Sequence, residues 1–271
     1  MSSVKCFIVG ASRSGTTLLS VLLDRHSLLA VPPETAFYRD LARHFEGVDR
    51  ARALELLSTW HRLPELGLAA DDIISACDAD ISARSILETA LTLYTEARGK
   101  RFSGEKTPGH VRSIDRIITD FPDAHILFMM RDGRDMALSL VTMPFWKPDL
   151  AAAAGQWLSV AAAYRQAIDR HPGRISLIRY EQLAVYPERV LRSIMPSLGL
   201  AFEAGQLDHT IASDVVLPRS MAWKGRALTP IDTARIGHWR NSAKPAEAAY
   251  LTRMMHDELT HFGYDSSELA P

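Results

Sequence analysis

The chain has 271 residues and only two cysteines, Cys6 and Cys77. Two are too few for a disulfide framework, and neither belongs to a C-x-x-C or Cys/His ligand pattern. A reduced, cytoplasmic chain is the expectation. Charge of one sign is also missing, since 31 Lys plus Arg stand against 32 Asp plus Glu, a formal net charge of −1. No broad field draws such a chain to nucleic acid or to an anionic membrane, so an anionic ligand must be gripped locally. No apolar run reaches the ~18 residues of a membrane span. The richest stretch, Ala151 to Ala163, is interrupted by Gln156 and Ser159. No signal-peptide pattern, internal repeat or low-complexity linker is visible. What is present is an ordinary globular composition, 47% apolar with 15 Gly, and it reads as a single domain over residues 1–271.

Short apolar runs punctuated by Gly and Pro alternate with helical spacing. Cys6 to Val9, Leu28 to Val31, Phe102 to Glu105, Ala124 to Met130 and Ile175 to Ile178 read as strands buried in a parallel sheet. Helices are expected over Thr16 to Arg25, His110 to Thr119, a stretch ending at Val141, Leu150 to Arg170, from Pro187, and Pro245 to Leu259. Residues 36–100 read as a mostly helical insertion, and Phe202 to Ser242 as an irregular tail rich in Arg, Lys and Gly. This order predicts an α/β fold of P-loop type, three layers thick around a central parallel sheet. Ligands of such folds sit outside the carboxyl ends of the strands, where Ser12 to Thr17, Glu34, Lys106, Arg131 and Tyr180 all fall.

The loop Gly10-Ala11-Ser12-Arg13-Ser14-Gly15-Thr16-Thr17 has the Gly-x-x-x-x-Gly frame of a nucleotide P-loop between strand and helix. It lacks the lysine, whose place Thr16 takes. Backbone amides at a helix N-terminus still suit a phosphate, and Arg13 supplies a charge. The strand His125 to Met130 ends in Arg131 instead of the acid that holds Mg²⁺ in P-loop enzymes. Both absences suit a nucleotide handled with no metal required.

These residues resemble the sulfotransferases that use 3′-phosphoadenosine 5′-phosphosulfate (PAPS), particularly the bacterial and tyrosylprotein branch. Arg13-Ser14-Gly15-Thr16-Thr17-Leu18 resembles the family's 5′-phosphosulfate loop. Arg131 and Ser139, eight residues apart, resemble its 3′-phosphate motif. Glu34 lies 21 residues after Arg13, the spacing of the tyrosylprotein branch's catalytic Glu. Lys106-Thr107-Pro108 resembles the catalytic-lysine segment, Arg179-Tyr180-Glu181-Gln182-Leu183 the nucleotide-contacting Tyr motif, and Gly237-His238-Trp239-Arg240 the C-terminal Gly-x-Trp segment. Three departures stand out. Pro108 occupies the position of the cytosolic branch's catalytic His, His238 stands where relatives often carry Lys or Arg, and Trp223-Lys224-Gly225-Arg226 only loosely echoes a basic Arg-Lys-Gly element.

The resemblance implies sulfuryl transfer from PAPS to a hydroxyl or phenol, with adenosine 3′,5′-bisphosphate (PAP) as product. Glu34 is then the general base, and Arg13 and Lys106 stabilise the leaving phosphate oxygen. Ser12, Arg13, Ser14, Gly15, Thr16, Thr17, Arg131, Ser139, Tyr180, Lys224 and His238 hold the nucleotide. His110 is a reserve base or a structural histidine. Arg134 and Asp135 pair with each other or cap a helix, and Tyr180 is a nucleotide contact or core. Residues 223–226 are a flap or an ordinary basic loop. The acceptor is a natural product, carbohydrate, lipid or peptide tyrosine, with no nucleic acid and no membrane span. A P-loop nucleotide or small-molecule kinase and a non-catalytic nucleotide-binding module are the competing readings.

Overall fold

The computed structural model describes residues 3–77, 81–143, 148–208 and 229–264. Five strands, β1 (Val4–Gly10), β2 (Leu29–Ala30), β3 (Phe102–Lys106), β4 (His125–Met130) and β5 (Ile175–Arg179), pair in parallel in the order β2-β3-β1-β4-β5. The central strand β1 therefore ends between β3 and β4, and whatever follows it lies over the middle of the sheet's carboxyl edge.

Along β1 and β4 the side chains alternate between two cores, as the strand period of two requires. Phe7, Val9, Ile126, Phe128 and Met130 enter one core, while Cys6, Ile8, Leu127 and Met129 enter the other. The smaller core is closed by α1 (Thr16–Asp24) and, later in the chain, by Leu183, Val190, Leu191 and Ile194. The larger one receives α2 (Phe37–Asp40), α3 (Arg50–Ser58), α4 (Ala70–Ala76), α5 (Ala83–Glu96) and α6 (Ile114–Asp120). It continues through α7 (Gly133–Val141) and the 21-residue α8 (Leu150–Arg170). Asp149 caps α8 by accepting from the Ala152 amide at 2.7 Å, and the helix stops before Pro172. Two short helices, α9 (Tyr180–Val185) and α10 (Pro187–Ile194), follow β5. The C-terminal part holds α11 (Trp239–Ser242), α12 (Pro245–Met254) and α13 (His256–His261). This is the expected three-layer α/β arrangement, and no helix among the described residues is long and apolar enough to cross a membrane.

Three boundaries differ from the sequence reading. β2 holds only Leu29 and Ala30, because Leu28 turns outward, 41% exposed, and offers its carbonyl to Arg101 and Phe102. The stretch from His110 begins as a tight turn, Pro108–Ser113, because Pro108 lacks an amide to donate and the loop before it is tied back to β3. The last helix breaks at Met255, where Leu251, Met255 and Leu259 all enter the core while His256 turns outward. The alternation there satisfies the core without a continuous helix.

Candidate active site

The loop from Gly10 to Thr17 leaves β1 at the middle of the sheet and enters α1. Its backbone passes through the left-handed region at Arg13 (φ 70°) and Gly15 (φ 91°). At Gly15 a side chain is excluded twice, since its Cβ would also lie 2.5 Å from Tyr180 Cδ2. Gly15 caps α1 without a side chain, and no acidic residue occupies the first turn, so the first amides of α1 and the helix dipole favour an anion there. Ser14 is buried and donates its hydroxyl to Ala11 O at 2.6 Å, which closes the loop on itself. Ser12 and Thr17 are half-buried in the same loop, and Thr16 is buried.

On one side of the loop lies β4. Arg13 Nε donates to Ser139 Oγ at 3.1 Å, and Arg131 Nη1 donates to Arg13 O at 3.4 Å. The two segments with a phosphate-binding look thus meet in space. Arg131 is held on several sides. Its Nη2 donates to Arg235 O at 2.7 Å and lies 3.5 Å from Asp135 Oδ2, and its guanidinium carbon sits 4.6 Å from the Tyr180 ring centre. Its Nε is buried with no hydrogen-bond partner, an orphaned donor that a phosphate oxygen would satisfy. The residues present therefore fit a nucleotide with a phosphate at Arg131 and a second phosphate on the loop amides.

On the other side lies β3, whose register sets Lys106 opposite Ile8. Lys106 Nζ forms an ion pair with Glu34 Oε1 at 3.0 Å, with the lysine side chain 4% exposed and the glutamate 15% exposed. Glu34 comes from the loop after β2. Behind this pair is a fully buried one, Glu105 and His110, joined at 3.0 Å. His110 Nε2 accepts from the Tyr38 amide at 3.1 Å, so the ring proton belongs on Nδ1, toward Glu105. Both ring nitrogens of His110 are thus engaged inside the protein. Burial alone would raise the Glu105 carboxyl, but the imidazole beside it and the hydroxyls of Thr35 and Thr107 more than offset this and hold it below the usual carboxylate range.

Arg134 and Asp135 do not pair with each other. Arg134 forks onto Asp132 at 2.8 and 3.0 Å, donates to Tyr264 O at 2.9 Å, and lies 4.1 Å from the Trp239 ring centre. Asp135 accepts from the amides of Gly237 (2.8 Å) and Trp239 (2.7 Å). It thereby ties the Gly237-His238-Trp239 segment to α7. Burial pushes the Asp135 carboxyl up, against the pull of Arg131 and these two amides. His238 itself is exposed at the start of α11, and no described contact brings it to Arg131 or the loop. Lys224, with the rest of 223–226, lies outside the described residues.

Sequence reasoning missed Glu105, Asp135 and Glu181 as parts of this site. Glu181 Oε1 accepts from the Asp132 amide at 3.0 Å, steadying the turn that carries Arg131. A carboxylate inside or just after a buried strand is the signal that marks Glu105 and Glu181, because it must find buried donors.

The chain is similar to known proteins. The profile of the "Sulfotransferase family" matches residues 6–204. Nodulation protein NoeE of Sinorhizobium fredii is 26% identical over 290 residues, covering 97% of this chain and 66% of that protein. Protein-tyrosine sulfotransferase 2 of Gallus gallus is 27% identical over 279 residues, covering 96% of this chain and 69% of that protein. The chain thus spans about two thirds of the length of these relatives. Among solved structures, the sulfotransferase domain from the curacin biosynthetic pathway superposes with a TM-score of 0.67 at 19% identity, over 93% of this chain and 97% of that one, a likeness of fold.

Proposed function

The chain belongs to the sulfotransferase family, and we propose that it moves a sulfuryl group from PAPS to a hydroxyl or phenol with Glu34 as general base. The observation that carries this reading is the Lys106–Glu34 pair at 3.0 Å, at the end of a strand that pairs with the one leading into the phosphate loop. PAPS supplies an activated sulfuryl group on a phosphate leaving oxygen.

Glu34 takes the proton of the acceptor hydroxyl as its oxygen bonds to sulfur. Lys106 and Arg13 stabilise the phosphate oxygen that keeps the electron pair of the broken S–O bond. Arg131 and Ser139 hold the 3′-phosphate, the first by charge and the second by its hydroxyl. The loop amides of 12–17 hold the 5′-phosphate side, and Tyr180 lies beside the nucleotide, with Lys224 and His238 as further contacts. Stabilising charge on the leaving oxygen is what this arrangement does best, because fixed donors need no reorganisation during the reaction.

The acceptor bears a hydroxyl, and the 27% identity to a protein-tyrosine sulfotransferase makes a tyrosine peptide the first phenol to try, beside sugar, lipid and natural-product alcohols. Cys6 and Cys77 are both free and buried, which fits a reducing compartment and a cytoplasmic location.

The test is transfer of labelled sulfate from PAPS onto an acceptor panel, with wild type and Glu34→Gln. A labelled product from wild type, formed about 10² to 10⁴ times more slowly by Glu34→Gln, is the expected result. Wild-type rates in Glu34→Gln would remove Glu34 from the role of base.

A further inference from the structure

The loop that carries Glu34 and the end of the strand that carries Lys106 are joined by more than the ion pair between them. Glu34 pairs with Lys106 at 3.0 Å, Thr35 Oγ1 donates to Glu105 Oε1 at 2.7 Å, and the Ala36 amide donates to Thr107 Oγ1 at 3.0 Å. Three successive residues of one segment thus each meet one of three successive residues of the other. Neighbours on a strand point to opposite faces, so Glu105 stands behind Lys106 and turns away from the reacting groups. Its carboxylate is fully buried, and its acceptors are all engaged from the loop side or the turn after β3. Thr107 Oγ1 also donates to Oε1 at 2.7 Å, and His110 Nδ1 donates to Oε2 at 3.0 Å. Through His110 the network reaches the Tyr38 amide.

We propose that Glu105 is the positioning residue of this site, the buried anion that holds the 34–38 loop against the end of β3 so that Glu34 and Lys106 meet. The inference rests on the assignment of Glu34 and Lys106 to the chemistry made above. The loop needs such an anchor. Ala36 is held in the left-handed region (φ 53°), which a residue with a Cβ adopts at a cost. The amides of Ala36, Phe37 and Tyr38 donate to Thr107 Oγ1, Thr35 Oγ1 and His110 Nε2, and each of these three acceptor groups in turn donates to Glu105. A single carboxylate therefore orients the three groups that receive the amides of Ala36, Phe37 and Tyr38.

Replacing it by Gln keeps the shape and breaks this order. The new amide N–H faces either two hydroxyl donors or the Nδ1–H of His110. If His110 shifts its proton to Nε2 to accommodate it, that N–H then meets the Tyr38 amide, donor against donor. Every accommodation loosens the loop that carries Glu34.

The test reads the geometry of the pair without an acceptor. Acetylation of Lys106 by acetic anhydride is followed by mass spectrometry in wild type, Glu34→Gln, Glu105→Gln and the double variant, with Lys100 and Lys244 as internal references. Glu105→Gln is expected to raise the Lys106 rate at least about fivefold relative to those references. The double variant is expected to match Glu34→Gln, because groups acting through one pair are not additive. The PAP dissociation constant, measured by calorimetry, stays within about twofold of wild type. Should Glu105→Gln fail to fold, Thr107→Val carries the same expectation, since it removes one donor to Glu105 and the acceptor of the Ala36 amide. Thr35→Ser, which keeps the hydroxyl, behaves as wild type. An unchanged Lys106 rate in both Glu105→Gln and Thr107→Val overturns the proposal. So does a rise shared by all the lysines, or a double variant faster than Glu34→Gln. The base assignment fails on a different result, wild-type sulfuryl transfer by Glu34→Gln, which leaves this cycle unaffected.

Discussion

Glu181 shows how a single residue couples the site to pH. It is 4% exposed, accepts from the Asp132 amide and from Tyr264 Oη (3.3 Å), and burial pushes its carboxyl up to about 7. A carboxyl raised in the folded state binds its proton more tightly there than when unfolded. Its contribution to stability is thus complete below about 4.5, the ordinary value, and is lost as pH rises through about 7. The size is on the order of 3 kcal/mol. Glu181→Gln keeps an acceptor for the Asp132 amide and offers a donor to Tyr264. Urea unfolding at pH 5 and pH 8 is expected to show the variant gaining on wild type as pH rises. Parallel pH dependence in the two proteins would contradict this.

At the scale of elements, the site depends on how β4 hands over to α7. Gly133 opens that helix against α8, and a Cβ there would lie 2.6 Å from both Trp157 Cδ2 and Met255 Sδ. Neither can retreat, as both are buried. Gly133→Ala is expected to lower stability by about 1 to 3 kcal/mol, the range for overpacking, as read by thermal unfolding. Asp135, on the same helix, binds the amides of Gly237 and Trp239 and shares Arg131. Asp135→Asn turns one acceptor into a donor facing an amide. PAP affinity is expected to fall about tenfold, the scale of one lost hydrogen bond to a charged group. Unchanged affinity would detach the 237–239 segment from the nucleotide site.

These elements also show what a sequence makes legible. β1 and β4 stand out because strands buried on both faces must be continuously apolar, whereas β2, with two residues, is too short for any pattern to register. The position of Glu34, Lys106 and Arg131 at the sheet's carboxyl edge was legible because strand-end positions in an α/β fold converge whatever their separation along the chain. Glu105 and Asp135 were not, because their roles depend on partners 70 and 102 residues away, Thr35 and Gly237. For Asp135 the adjacent arginine offered a nearer and wrong partner.

For the whole molecule, the sheet divides two cores, and the helices between residues 37 and 96 share the larger one with α6, α7, α8 and the C-terminal helices. Phe37, Trp60 and Tyr94 are as deeply buried in it as Phe128 or Trp157. A segment that shares its core with the sheet unfolds with it. Calorimetry is expected to show one transition whose measured and van't Hoff enthalpies agree. A separate early transition would make 36–100 a unit of its own. The sheet also brings to one edge two cationic centres, Arg131 and Lys106, on strands flanking the loop after β1. A near-neutral chain with a net charge of −1 thus places two cationic side chains at the sheet edge where the proposed nucleotide would lie.

The most direct test of that claim is calorimetric titration of wild type and Arg131→Ala with adenosine 3′,5′-bisphosphate, beside ATP with Mg²⁺. The site described here predicts that wild type binds the bisphosphate without added metal and in preference to ATP. It also predicts that Arg131→Ala weakens this binding about 10- to 100-fold, as expected for a lost charge-assisted contact. Binding of ATP with Mg²⁺ alone, or bisphosphate binding indifferent to Arg131, would contradict it.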